Sequence, residues 1–148
     1  MKLVYGELWE YEKNHPDRWV VITTNGSVKN NGCNVMGSGC AKEWADRNPA
    51  APKWLGDRLK QYGANICYAH SGDRVVTFPT KHLWHQDSDI DLIRNSAQDL
   101  AEMADRFPNA IFVLPRPGVG AGKLKWDDVL PVIEPILPDN VHVITWEE

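Results

Sequence analysis

Cysteine is scarce in this chain, with only Cys33, Cys40 and Cys67 among 148 residues. An odd number cannot all pair, and their spacing fits no zinc-ligand pattern, so buried or idle thiols are the better reading. Of the five histidines only His82 and His85 lie close together, without an HExxH pattern, and no metal or cofactor is expected. No apolar run is longer than a strand, and Met1-Lys-Leu-Val-Tyr5 lacks a secretory signal's apolar core and cleavage site. The expected location is therefore the cytoplasm, or the host cytoplasm for a viral source, with no membrane partner. Basic charge is also short: Lys and Arg total 16 against 20 Asp and Glu, a net charge of −4. Broad coverage of a nucleic-acid backbone needs a basic face, so an anionic ligand has to be held locally. No linker, repeat or low-complexity tract is visible, and 148 residues with 43% hydrophobic content suit one domain spanning residues 1–148.

What is present is an alternation of two periodicities. Runs rich in Val, Ile and aromatics at residues 2–9, 19–24, 65–70, 74–78, 110–114 and 141–146 predict six strands. Helical patterns at 39–48, 53–62, 88–107 and 126–137 lie between them. That order predicts an α/β fold with a mostly parallel sheet covered on both faces. In the third helix Ser88 is read as the cap, with Asp91 three residues on. Ile93, Ala97, Leu100, Ala104 and Phe107 form its apolar stripe, and Pro108 stops it. Pro131 and Pro135 predict a last helix that is kinked or begins late.

Two glycine clusters sit where buried strands turn over. Gly118-Val-Gly-Ala-Gly-Lys123 follows Ile111-Phe-Val-Leu114, and Met36-Gly-Ser-Gly-Cys-Ala-Lys42 follows Val20-Val-Ile-Thr-Thr24. Glycine lets successive N–H groups point at one anion, and a following helix adds the positive end of its dipole. Hydrogen bonds to a charged partner contribute about 1.5 to 3 kcal/mol each, and micromolar binding needs about 8 kcal/mol. A few backbone donors can thus hold a diphosphate on an acidic protein. A P-loop is excluded because Pro117 and Leu124 replace its glycine and its Ser or Thr. A dinucleotide fingerprint is excluded because Lys123 replaces its third glycine.

Taken in order, Thr24-Asn25-Gly26, Val35-Met-Gly-Ser-Gly-Cys-Ala-Lys42, Phe78-Pro-Thr-Lys81 with Trp84 and Ser88, and Pro117-Gly-Val-Gly-Ala-Gly-Lys-Leu-Lys-Trp126 resemble a macrodomain over nearly the whole chain. Within that superfamily the segments are most similar to the branch of DarG-type antitoxin macrodomains and terminal ADP-ribose protein glycohydrolases. The resemblance implies a three-layer α/β/α sandwich with a mixed, mostly parallel six-stranded sheet and an ADP-ribose cleft at the crest of the strands. It places Asn25 at the distal ribose and wraps Val35, Met36, Gly37, Ser38, Gly39 and Cys40 around phosphate and ribose. Gly118, Val119, Gly120, Ala121, Gly122 and Lys123 take the other side. Thr80 belongs to the Pro-Thr-Lys segment, and Glu7 marks the adenine side, where family members often carry Asp.

By the same resemblance Lys81 is the catalytic residue, acting at the anomeric carbon of the distal ribose. Physically, a lysine there either stabilises a departing anion or, as a neutral amine, captures the opened aldehyde as a Schiff base. Gly122 stands where the glycohydrolases carry an acid, although DarG-like members have glycine there. His82, His85 and Asp87 are read as surface residues, and Asp127 and Asp128 as favourable charges at a helix start. The implied function is an ADP-ribosyl hydrolase acting on a modified macromolecule, either a DNA base or a protein side chain. Two alternatives stay open, a phosphatase of ADP-ribose 1''-phosphate and a non-catalytic ADP-ribose binding module or nucleotide sink. A monomer is expected.

Overall fold

The computed structural model describes residues 1–146. Its strands are β1 (Lys2–Tyr5), β2 (Arg18–Asn25), β3 (Ala69–His70), β4 (Val75–Lys81), β5 (Ile111–Pro115) and β6 (Val141–Thr145). The helices are α1 (Gly39–Arg47), α2 (Ala51–Tyr62), α3 (Ile90–Arg106) and α4 (Trp126–Ile133), with a 3₁₀ turn at Gly120–Gly122. All six strands form one sheet in the order β1-β6-β5-β2-β4-β3, parallel except for the short edge strand β3.

The central strands are apolar on both faces because each face meets a helical layer. In β2, Val20 and Ile22 join the cluster that holds Trp44 of α1 and Leu55 of α2. Val21 between them joins the opposite cluster, with Ile93 and Leu100 of α3 and Ile133 of α4. The same alternation places Val113 of β5 in the first layer and Phe112 and Leu114 in the second. The six strands, four helices and three layers expected from the sequence are all present.

Several local expectations need correction. The first strand ends at Tyr5, because Gly6 takes φ +149° and the chain then coils into turns. The run at 65–70 contributes only Ala69–His70. Asp89, not Ser88, caps α3: its extended backbone (φ −108°) lets the carboxylate accept from Asp91 N at 2.9 Å. Phe107 lies past the last turn of α3 and is 54% exposed, so it leaves the apolar stripe. α4 starts on time at Trp126, includes Pro131 and ends at Ile133, which puts Pro135 beyond it. Asp127 and Asp128 occupy its first turn, as expected.

Candidate functional site

Neighbouring strands β2 and β5 lead their connections in opposite directions. From β2 the chain passes through α1 and α2 towards β3 and β4; from β5 it passes through α4 to β6 on the other side. Diverging connections leave a crevice at the carboxyl ends of the strands, the place where open α/β sheets hold ligands. A cleft of about 850 Å³ lies there, walled by both glycine loops, by Thr23, Thr24 and Asn25 of β2, by Thr80 and Lys81 of β4 and by Ile144 of β6.

The first loop delivers the amino end of α1 to the cleft. Gly39 opens the helix with φ +61°, and the hydroxyl of Ser38 at the N-cap makes no capping bond. The first-turn N–H groups of α1 are therefore left for a partner outside the helix, and the dipole favours an anion. The second loop enters at Gly118 with φ +77°, where a Cβ would stand 2.6 Å from Ile93 Cδ1. Gly120 repeats the positive φ at +78°, and Leu124 N closes the loop on Gly118 O at 2.9 Å. Ser88 N pins its far end by donating to Gly122 O at 3.0 Å.

Gly122 itself is locked by contact, since a Cβ there would meet Ser88 Oγ at 2.2 Å. Ser88 is buried, and its hydroxyl has no hydrogen-bond partner among the described residues. A side chain at position 122 and a serine at position 88 therefore compete for one space.

Lys81 ends β4 just past a register shift, in which β2 pairs Thr24 with Pro79 and then Asn25 with Lys81, skipping Thr80. Its Nζ lies 3.4 Å from the carbonyl oxygen of Ala121, so it points across to the second loop, and no carboxylate among the described residues pairs with it. Asn25 lines the cleft, but its amide is engaged in shaping the first loop. Nδ2 donates to Val35 O at 2.9 Å, while Oδ1 accepts from Ser27 N at 3.0 Å and Asn34 Nδ2 at 3.2 Å. Glu7 also lines the cleft, with Oε2 accepting from Trp9 N at 3.0 Å and Glu10 N at 2.9 Å. That carboxylate orders the turn after β1. The thiol of Cys40 packs 3.3 Å from Thr23 N, and burial pushes its pKa up.

Of the residues expected at the site, Glu7, Asn25, Val35, Gly37, Ser38, Gly39, Cys40, Thr80, Lys81, Gly118, Val119, Ala121 and Gly122 line the cleft. Three do not. Met36 turns into the core beneath the first loop, where it is 8% exposed. Gly120 is exposed in the 3₁₀ turn and is not in the cleft wall, and Lys123 reaches to within 4.0 Å of Asp87. His82 is bound to Asp89 at 2.7 Å and His85 packs edge-on against Trp84, so both belong to the surface turn.

Sequence reasoning missed Lys29, Glu43 and Arg116, all in the wall. Arg116 follows β5 directly, and its guanidinium lies 4.6 Å from the centroid of Trp126. A cation at the carboxyl end of a central strand was the available signal. With Lys29, Lys81 and Arg116 against Glu7 and Glu43, the wall is locally cationic on an acidic protein.

Solved structures with this architecture cover nearly the full chain. The macrodomain of Mycobacterium tuberculosis DarG superposes with a TM-score of 0.75 at 26% identity, covering 96% of this chain and 95% of that one. The chain is a macrodomain by fold. The macrodomain of Thermus aquaticus DarG gives 0.74 at 25% identity, with 99% and 97% covered. Thermosipho africanus DarTG, solved in complex with ADP-ribose, gives 0.76 at 19% identity and matches over 43% of its own length. No protein-family model and no curated protein sequence matches this macrodomain.

Proposed function

We propose that the cleft binds ADP-ribose and that the protein hydrolyses an ADP-ribosyl conjugate, with Lys81 acting at the distal ribose. The observation that carries this reading is the uncapped first turn of α1 facing the Gly118–Gly122 bend across the cleft, with Lys81 Nζ reaching the second loop at Ala121. Two loops of backbone donors suit a diphosphate, and the unneutralised ammonium suits charge developing at the anomeric carbon. The ADP-ribose complex of Thermosipho africanus DarTG supports the choice of ligand, and the macromolecular conjugate is what the sequence resemblance to the DarG-type branch implies.

In the reaction the bond from the anomeric carbon to the modified group breaks and water supplies the hydroxyl that replaces it. Lys81 assists either by stabilising the departing anion or by forming a transient imine with the opened ribose. Wild type and Lys81→Ala are compared on ADP-ribosylated DNA, ADP-ribosylated protein and ADP-ribose 1''-phosphate, with calorimetry on free ADP-ribose. The expected result is free ADP-ribose from one macromolecular conjugate, lost in Lys81→Ala while ADP-ribose binding persists. Borohydride trapping of a covalent adduct selects the imine route. Turnover of the 1''-phosphate alone assigns a phosphatase, and turnover untouched by Lys81→Ala removes that lysine from the chemistry.

A second reading, a non-catalytic binder of ADP-ribose, draws on Gly122. The contact with Ser88 opposes an acidic side chain at position 122. Binding without turnover of any of these substrates decides for it.

A further inference from the structure

A second cavity, of about 450 Å³, lies by the amino ends of β2 and β4. Four cationic side chains reach it from four segments: Lys13 from the turn after β1, Arg18 from β2, Arg47 from the end of α1, and Arg74 before β4. Among the described residues Asp73 is the one carboxylate in its wall, with Glu10 and Asp17 beside it as the partners of Lys13 and Arg74. On a chain of net charge −4, such a gathering runs against composition and costs mutual repulsion.

Each of the four cations has a partner in the protein, and none of these partners is a buried carboxylate. Lys13 pairs with Glu10 at 2.6 Å and Arg74 with Asp17 at 2.7 Å, both at exposed positions where such pairs hold weakly. Arg18 and Arg47 have no carboxylate within ion-pair distance among the described residues. Arg18 Nη1 donates to the carbonyls of Trp9 at 3.1 Å and Tyr11 at 2.8 Å, while Arg47 Nη1 donates to Glu43 O at 3.2 Å. Asp73 is already committed, accepting from Trp44 Nε1 at 2.9 Å and Asn48 Nδ2 at 2.7 Å.

Trp9 completes the wall. The Arg47 guanidinium lies 4.1 Å from its ring centroid, and its shielded indole N–H has no acceptor among the described residues. Arginine, lysine and the indole donate only. The bonds that Arg18, Arg47 and Arg74 make run through Nη1, which leaves each guanidinium with further N–H donors beside a spent acceptor; such a cavity suits a ligand rich in acceptor oxygens, and guanidinium matches the geometry of phosphate oxygens.

We infer that this cavity is a second anion site, taking a phosphoryl group that is either free or part of a nucleic-acid strand. It is separate from the cleft: α1 runs from Gly39 in the one wall to Arg47 in the other, a span of about 12 Å at the helical rise. The inference stands whether or not the cleft binds ADP-ribose.

Residue-resolved amide spectra test it, with pyrophosphate and a short single-stranded oligonucleotide titrated separately into the full chain. The expected result is saturable shifts at Trp9, Arg18, Arg47 and Arg74. Arg47→Glu, with its spectral dispersion retained, is expected to weaken that binding about tenfold or more by removing one charge-assisted contact. Lys13→Gln provides a second, milder variant and is expected to weaken the same binding. Saturation by pyrophosphate alone identifies a small free anion; tighter, steeply salt-dependent binding of the oligonucleotide identifies a strand. Absence of shifts at these four residues with both probes, or shifts that persist unchanged in both variants, overturns the inference.

Discussion

Ser88 and Gly122 are predicted to behave as one unit under mutation. In Gly122→Ala the new Cβ lands 2.2 Å from Ser88 Oγ and 3.1 Å from Ser88 Cβ. Either the hydroxyl rotates within its buried surroundings or the loop withdraws, and overpacking of this kind costs about 1 to 3 kcal/mol. Ser88→Ala is expected to be nearly neutral, because the hydroxyl it removes is buried without a partner among the described residues. In the double variant the closest contact left is the 3.1 Å approach to Cβ, which a small shift absorbs. The two substitutions should therefore be non-additive, with a coupling of about 1 to 2 kcal/mol in the relieving direction. Urea unfolding of the four proteins measures this, and the matching rise in Tm from the single Gly122→Ala to the double variant is about 2 to 8 °C. Equal destabilisation by Gly122→Ala in the Ser88 and Ser88→Ala backgrounds would refute the argument that the two compete for one space.

Gly56→Ala in α2 is expected to cost more than about 3 kcal/mol, since its Cβ would lie 1.9 Å from the backbone oxygen of Gly32, which no rotamer can move; a melting temperature within a degree of wild type contradicts this. The Asp89 carboxylate accepts from His82, which first, and with the Asp91 amide, holds its pKa below the ordinary value. A carboxyl lowered on folding stabilises fully above its unfolded pKa of about 3.9, and that stability is lost as pH falls through the lower folded value. Asp89→Asn should therefore be less stable than wild type at neutral pH, with the gap closing as both are acidified below that range. A gap that stays constant into strong acid counts against the pair. Burial pushes the thiols of Cys40 and Cys67 up, for Cys67 well above its usual value, so mass spectrometry after brief alkylation should find Cys67 unmodified while the protein stays folded; rapid labelling there contradicts its placement.

Strands and helices were legible because each central segment repeats its apolar residues with the period of its element. Val20 to Ile22 and Phe112 to Leu114 read as buried from composition alone, and they are. Boundaries were less legible where one residue's conformation decides. Ser88 and Asp89 are both good caps by type, and only the bond from Asp91 N distinguishes them. The glycine loops were visible as turns, but the inward side of each was not: Met36 and Gly37 are adjacent, and one is core while the other is wall. Glu43 was hidden because α1 turns one stripe to the core and another to the cleft, a choice that the 3.6-residue period alone does not orient. The contact between Ser88 and Gly122 joins residues far apart in the chain, and no local pattern announces it.

Parallel pairing of the two outermost segments of the chain has a practical result. Strands β1 and β6 run side by side in the same direction, with Lys2 opposite His142 and Tyr5 opposite Thr145. Met1, tied to Leu137 O at 2.9 Å, is therefore at the foot of the sheet, while Trp146 stands at the rim of the cleft. A purification tag or reporter joined before Met1 leaves from the end remote from the binding mouth, whereas one joined directly after Trp146 starts beside it. Amino-terminal fusions are the ones suited to affinity work on the cleft.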